Sequence, residues 1–554
     1  MITDSGATLL HEVSFALAGK ALLAVVGPSG AGKSTLLYAL VGSRPAQRGE
    51  IRYAERSLYD DYDELRHRIA LVPQDDVLHT QLSVADALGY AARLRFPADT
   101  TAADRRRRVR EVLDQLGLTE HEHKPVTALS GGQRKRTSVA LELLTKPSLL
   151  FLDEPTSGLD PGMDRSVMQT LRSLADDDRT VVVVTHNVAN LEVCDRLLLL
   201  AKGGWLAYFG PPAQALEYFG DRDYADIFLR LETSSGQQWA EKFHHSPLYL
   251  RYLGAPDSRP PARPHPGGVP DRPPRQQSAF TQLGVLARRY LAVIAADRQY
   301  LGFLAALPIV LSLLARAVPG SAGLSVNAAT ADPAKLDTQP AQLLLVLVIG
   351  AALMGAAAAI RELVKERTIY QRERAVGLSI GAYLASKILV LTGIVTMQVA
   401  VFTLLSLIGR TPPDDPLELP GPLEVFTAVL AAGIATMLIG LAISALIKNA
   451  DQGMPLLVLM IMAQLVFSGG LFAVNDRPVL EQLAWLAPSR WAYAMTAATS
   501  DLTKLDRPGT TPDPLWAHTS STWLQALVIL AAMAGVLTAV TAHSLARLDP
   551  KRRR

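Results

Sequence analysis

Six long stretches nearly free of charge dominate the second half of this chain and limit what it can fold into. They are Tyr300–Val318, Ala341–Ile360, Ile388–Gly409, Leu423–Ile447, Met454–Val474 and Trp523–Leu545. Each meets the requirement of about 20 residues for an α-helix, rising about 1.5 Å per residue, to cross a bilayer. A helix satisfies its own backbone polar groups in hydrocarbon, so residues 299–554 are predicted to form an all-α, six-helix transmembrane domain. Arg316, near the end of the first stretch, is expected to snorkel to the surface. The first half reads differently, as a charged, water-compatible chain. Hydrophobic residues therefore reach 49% and charged residues 19% only as an average over two unlike halves. A net charge of +3 gives no reason to expect a nucleic-acid partner. Cys194 is the single cysteine, which excludes an intrachain disulfide framework and suggests a small buried hydrophobe beside a core strand.

The N-terminal half carries phosphate chemistry. Ala21–Val26 is an apolar run suited to a buried strand, and Gly27-Pro28-Ser29-Gly30-Ala31-Gly32-Lys33-Ser34-Thr35 follows at once. This is the G-x-x-x-x-G-K-[ST] phosphate loop between a strand and a helix predicted over Thr35–Val41. Its glycines (Gly27, Gly30, Gly32) let backbone N–H groups close round phosphate oxygens, with Ser29 and Thr35 in the same loop. Lys33 is placed to reach the β and γ phosphates and Ser34 to ligate Mg2+. A second apolar run, Leu149–Leu152, ends in Asp153 and Glu154. Asp153 suits the metal and Glu154 the attacking water. The cofactors expected are ATP and Mg2+.

Between these motifs stands Leu129-Ser130-Gly131-Gly132-Gln133-Arg134, and here the chain resembles the ATP-binding cassette (ABC) ATPases. Gln74 in Val72–Asp75 resembles the Q-loop, Ser157–Asp160 the D-loop, and His186 the switch histidine. The resemblance implies an α/β P-loop cassette with an α-helical subdomain, a catalytic set of Glu154, His186 and Gln74, and Mg2+ ligation by Ser34, Gln74 and Asp153. It implies that Ser130, Gly131, Gly132 and Gln133, with Asp160, contact ATP held by the opposite subunit's phosphate loop. Two copies then close head to tail, and a full catalytic set in one half favours a homodimer. Cassettes usually stack an aromatic on adenine about two dozen positions before the loop lysine. Ile2–Leu10 holds none; either the chain is cut from a longer protein with an N-terminal extension, the favoured reading, or its contact with adenine is weak. Some bacterial relatives carry regulatory forkhead-associated domains upstream, which nothing in this sequence shows.

The phrases Gly210–Phe219 and Tyr224–Phe228 resemble the tail of ABCG-type cassettes, the white and pleiotropic-drug-resistance group, which place the cassette before the membrane domain. The domains read as a cassette over 1–253, a Pro/Arg-rich linker over 254–278, a connecting helix over 279–298 and the membrane domain over 299–554. Glu366–Lys387 resembles the group's coupling region, with Glu366, Arg372, Glu373, Gly377, Tyr383 and Lys387 at its spacing, and so is expected to dock near the Q-loop. Basic residues between stretches two and three, at Lys448 and at Lys551–Arg554 place those segments on the cytoplasmic side. This implies a multi-pass protein of the inner (cytoplasmic) membrane with its ATPase inside. In the fifth stretch Met462, Gln464 and Phe467 either line a central cavity or face lipid. No stretch carries a mid-membrane acid or base. An apolar route and the resemblance together suggest export or flipping of a lipid-like or hydrophobic substrate, with membrane lipid as a partner. The alternative is an ATPase that gates or signals to a membrane partner complex and transports nothing.

Overall fold

A computed structural model describes residues 8–54, 56–253, 277–331, 337–475, 477–505 and 513–548. The window Ile2–Ala7, linker residues 254–276 and the basic tail Lys551–Arg554 lie outside the described residues. Two compact units are present, one built on Met1–Ser278 and the other on Ala279–Arg374 with Leu378–Asp549.

Eight strands lie in the first unit: β1 Leu22–Val26, β2 Arg52–Tyr53, β3 Arg56–Ser57, β4 Ile69–Val72, β5 Leu149–Asp153, β6 Thr180–Val184, β7 Arg196–Ala201 and β8 Trp205–Gly210. Strands β2 and β3 form a small antiparallel hairpin. The other six form one sheet in the order β4-β5-β6-β1-β7-β8, parallel except for the β7–β8 pair. Continuous apolar runs such as Leu22–Val26 and Val181–Val184 are buried throughout, as expected of strands covered on both faces. Register aligns the carboxyl ends: Val72 opposes Leu152, Asp153 opposes Val184, and Val184 opposes Val25. The segments leaving β4, β5, β6 and β1 therefore emerge side by side at one edge, where ligands of open α/β sheets bind. The helical subdomain, with helices Val84–Arg95, Ala102–Gln115 and Gly131–Leu143, is tied by the buried Arg95–Glu142 pair at 3.0 Å. Cys194 is buried just before β7, and burial pushes its thiol up to about 12.

Among the described residues of the second unit, six helices are long and apolar enough to cross a membrane: Arg298–Arg316, Gln339–Lys365, Ile380–Leu407, Gly421–Leu446, Ala450–Phe467 and Ser520–Arg547. They are spans 1 to 6. Span 3 starts at Ile380 and not near Ile388, because Lys387 is buried against a carboxylate and does not end the helix. Span 5 stops at Phe467, short of Val474, where Gly469 takes φ +81°. The helix Pro488–Ser500 that follows is buried at every residue. The small residues of span 2 meet span 4 closely, since a Cβ on Gly355 would lie 2.0 Å from the Gly433 carbonyl oxygen. Close backbone approach of this kind drives helix association in lipid.

A branched side chain at Gly355 must force spans 2 and 4 apart, whereas Gly535 in span 6 has nothing within 4 Å of an added Cβ. Gly355→Leu is expected to destabilise the detergent-solubilised chain by about 1–3 kcal/mol. Gly535→Leu should leave the thermal transition in place; equal effects from the two would contradict this packing.

Candidate functional site: a nucleotide pocket at the sheet edge

The phosphate loop leaves β1 with conformations open to glycine. Gly27 has φ +155°, and a Cβ there would sit 2.2 Å from the Leu200 carbonyl oxygen; Gly32, φ +86°, has Leu9 O at 2.8 Å. Lys33 opens the helix Lys33–Leu40 and folds back, its Nζ donating to Gly27 O at 2.8 Å and Pro28 O at 3.0 Å. Burial lowers its pKa, against the opposing pull of Glu154 and Asp153. Ser29 lies exposed at the loop tip, and Thr35 is half-buried in the first helical turn.

Ser34 and Asp153 face each other across 3.1 Å, the hydroxyl donating to Oδ1. Two hard oxygen donors beside a phosphate-binding loop suit Mg2+, which takes few protein ligands and keeps its waters. Desolvation raises the Asp153 pKa, as expected of a buried carboxylate shaped to share its charge with a cation. The donor set therefore fits the ion.

Glu154 occupies a left-handed backbone conformation, φ +46°, while its N–H donates to Val184 O at 2.8 Å. That bond to the neighbouring strand fixes where the carboxylate projects. Its Oε2 accepts from Gln74 Nε2 at 3.0 Å and stands 3.3 Å from His186 Nδ1. The three residues expected to act together thus converge on one oxygen from β4, β5 and β6. Gln74 bonds to Glu154 through its amide nitrogen, which leaves Oε1 as the atom suited to Mg2+.

The signature segment is capped by its own residues. Ser130 Oγ accepts from Gln133 N at 3.3 Å, and Ser130 N donates to Gln133 Oε1 at 3.0 Å, a reciprocal capping box. Two of the free N–H groups at the helix start, those of Ser130 and Gln133, are therefore satisfied, leaving those of Gly131 and Gly132 at the tip. Gly131 packs so closely on Leu159 that a Cβ would lie 2.9 Å from it. Asp160 caps the next helix, accepting from Met163 N at 2.9 Å.

Lys135 escaped the sequence reading. It is 5% exposed and donates to the Gln74 carbonyl at 2.6 Å, with Asp76 at 3.3 Å, joining the signature helix to the Q-loop. The signal was its register: Gly132 and Val139 lie three and four residues either side, which puts Lys135 on the buried face. His121, paired with Gln133 at 2.8 Å, left no such signal. His11 stacks flat on Trp205, ring centroids 4.2 Å apart.

In the membrane unit the coupling-region residues form a buried charged cluster. Glu366 meets Lys387 at 2.8 Å and the Tyr383 hydroxyl at 3.2 Å. Glu373 pairs with Arg289 of the helix Ala279–Ala296, Nη2 to Oε2 at 2.9 Å, and Lys387 also lies 3.4 Å over the Tyr290 ring. Arg372 is half-buried on the same helix as Glu373, and Gly377 takes φ +106° just beyond it. Of the candidate cavity residues, Met462 is 53% exposed while Gln464 is buried and accepts from Ser489 N at 3.0 Å. Two residues apart on a helix, these two point to opposite sides, and so do not line one surface together; Phe467 is half-buried.

Residues 10–157 match the family model described as "ABC transporter", and residues 281–499 match "ABC-2 type transporter". The chain belongs to the ABC transporters, with the ABCG order of cassette and membrane domain. The ABC transporter ATP-binding/permease protein Rv1747 of Mycobacterium tuberculosis is 45% identical over 96% of this chain and 60% of its own length. ABC transporter G family member 22 of Arabidopsis thaliana is 40% identical over 36% of this chain and 27% of its own length. Member 13 from the same plant is 38% identical over 41% and 36% respectively. The chain thus spans 60% or less of the length of each of these relatives.

Metal binding at Asp153 requires its ionised form, and a raised pKa means protonation at higher pH than for an exposed aspartate. Nucleotide affinity in the presence of Mg2+ is therefore expected to weaken on acidification, beginning above the ordinary aspartate value of about 3.9. Titrating a fluorescent ATP analogue across pH checks this. Asp153→Asn, or chelation of Mg2+, should weaken binding at neutral pH and flatten that dependence; an unchanged profile in Asp153→Asn would count against metal ligation here.

Proposed function

We propose that this chain hydrolyses ATP as a homodimer and uses the energy to export or flip a lipid-like or hydrophobic substrate across the cytoplasmic membrane. The observation that carries the reading is the convergence of Gln74 and His186 on Glu154 Oε2, one residue from the Ser34–Asp153 pair. Glu154 is placed to accept a proton from an attacking water, and Gln74 and His186 to hold that carboxylate and water in line. Mg2+, when bound, neutralises charge on the phosphates. Lys33 exchanges the Gly27 and Pro28 carbonyls for phosphate oxygens, which relieves a buried ammonium of its poorer partners.

Two further points support the dimer and the route. The tip of the signature helix keeps the N–H groups of Gly131 and Gly132, an anion-binding arrangement that a second copy's nucleotide can complete. In the membrane unit, Glu366, Lys387 and Arg289 are buried at the coupling region, paired among themselves and with Glu373. The mid-portions of the spans offer an apolar path that suits an amphiphile better than a sugar or an ion.

Vesicles reconstituted with the full chain and fluorescent phospholipid should show ATP-dependent transfer between leaflets. Glu154→Gln keeps shape and nucleotide binding but removes the base, and should lower hydrolysis by about 100-fold or more and abolish transfer. Transfer that persists in Glu154→Gln would sink the reading. Hydrolysis without transfer of any amphiphile would favour an ATPase that gates a partner complex.

A further inference from the structure

Spans 1 and 3 end on the same side of the membrane, one crossing and three crossings along the chain; span 1 ends at Arg316, and Arg410 stands three residues beyond the end of span 3. Arg316 Nη1 donates to Leu405 O at 2.9 Å and Ile408 O at 3.1 Å, the last carbonyls of span 3. Arg410 Nη2 donates to Ala315 O at 3.0 Å and Arg316 O at 3.1 Å, the last carbonyls of span 1. Each guanidinium thus caps the other helix, satisfying carbonyls left over at a helix end. The exchange holds two positive charges together at the water–hydrocarbon boundary.

Backbone carbonyls supply partial charge only. Among the described residues neither arginine has a carboxylate within ion-pair distance, unlike the cations Arg490 and Lys504 of the long loop before span 6, which pair with Asp513 and Asp501. Arg410 feels the consequence, its pKa lowered by burial and then by Arg316. Below the arginines the two spans present apolar side chains outward. Val310, Leu313 and Leu314 of span 1 are 53%, 63% and 59% exposed, and Met397, Leu404 and Ile408 along span 3 are 67%, 65% and 58% exposed. Met397, Leu404 and Ile408 fall at helical spacing on one face. The spans are joined deeper down by Gln398 Nε2 donating to Leu304 O at 2.8 Å.

We propose that Arg316 and Arg410 form a binding site for an anionic glycerophospholipid, the phosphate held by the two guanidinium groups and the acyl chains laid along the exposed faces of spans 1 and 3. Charge complementarity selects this occupant: paired cations at headgroup level directly above a two-helix apolar surface match a phosphate attached to acyl chains. Each guanidinium keeps N–H groups beyond those spent on carbonyls, and Arg316 presents its own to the exterior. The site uses none of the nucleotide-site residues and holds lipid without ATP, so its test is independent of the transport reading.

Native mass spectrometry of the full chain, purified in detergent and given equal amounts of phosphatidylglycerol and phosphatidylcholine with matched chains, reads the preference directly. The wild type should retain phosphatidylglycerol in excess. Arg316→Gln should reduce that preference about fivefold, and Arg316→Gln with Arg410→Gln should remove it. Should the double variant unfold, Arg316→Gln and Arg316→Lys alone suffice, since the exposed Arg316 is the more replaceable, and Lys should keep part of the preference. Four outcomes overturn the proposal: no preference in the wild type, an undiminished preference in folded Arg316→Gln, displacement by glycerol 3-phosphate as effective as by the lipid, or a second copy of the chain covering these faces.

Discussion

The position of one carboxylate organises the nucleotide site. Glu154 follows the last residue of β5 with its backbone turned into the left-handed region, a conformation that costs a non-glycine residue on the order of 1–3 kcal/mol. The hydrogen bond from its N–H to Val184 O holds it there, and that bond depends on β5 and β6 lying parallel with Asp153 opposite Val184. Sheet register, turn strain and carboxylate direction are thus one linked constraint. Gln74 leaves β4 and His186 leaves β6, the strands on either side, so both reach Oε2 by short segments. Lys135 extends the same constraint to the signature helix through the Gln74 carbonyl, with no contact to Glu154 itself.

A different solution to burial appears in the membrane unit. Isolated charges in a low-dielectric setting are costly, and removing one member of a buried pair costs more than the pair contributes. Glu366 pairs with Lys387 and Glu373 with Arg289, with Glu362, the Tyr290 ring and the Tyr383 hydroxyl packed among them. Because Lys387 is paired, span 3 continues back to Ile380. Elsewhere the unit is held by shape, most closely where Gly355 admits the Gly433 backbone. Glu424, near the start of span 4, shows the same economy of partners: one of its carboxylate oxygens accepts the N–H groups of Leu417, Glu418 and Leu419.

Much of this was legible in the sequence because it rests on local residue type. The phosphate loop, the run ending in Asp153-Glu154, and six long apolar stretches announce themselves through spacing alone. Two kinds of feature were not legible. Span ends depend on whether a charge is paired in three dimensions, and nothing near Lys387 in the sequence shows that Glu366 reaches it. Partners such as His121 on Gln133, or Gln464 on Ser489, join residues whose neighbours give no periodic signal. Lys135 falls between: its helical register marks a buried face, but standing between Arg134 and Arg136 it gives no sign in the sequence that the Gln74 carbonyl is its partner. Met462 and Gln464 appeared as a pair only until the helix placed them on opposite sides.

The central claim, that this chain is half of an ATP-driven machine whose sites are shared between copies, can be tested by mixing two inactive variants. Lys33→Ala disables the phosphate loop and Ser130→Arg the signature tip, so each homodimer lacks both working sites. Coexpressed in equal amounts, they form mixed dimers in which one site regains an intact loop and an intact signature. ATP hydrolysis should then recover to about a quarter of the wild-type rate if the sites act independently in a symmetric dimer. Mixed dimers as inactive as either parent would contradict the account.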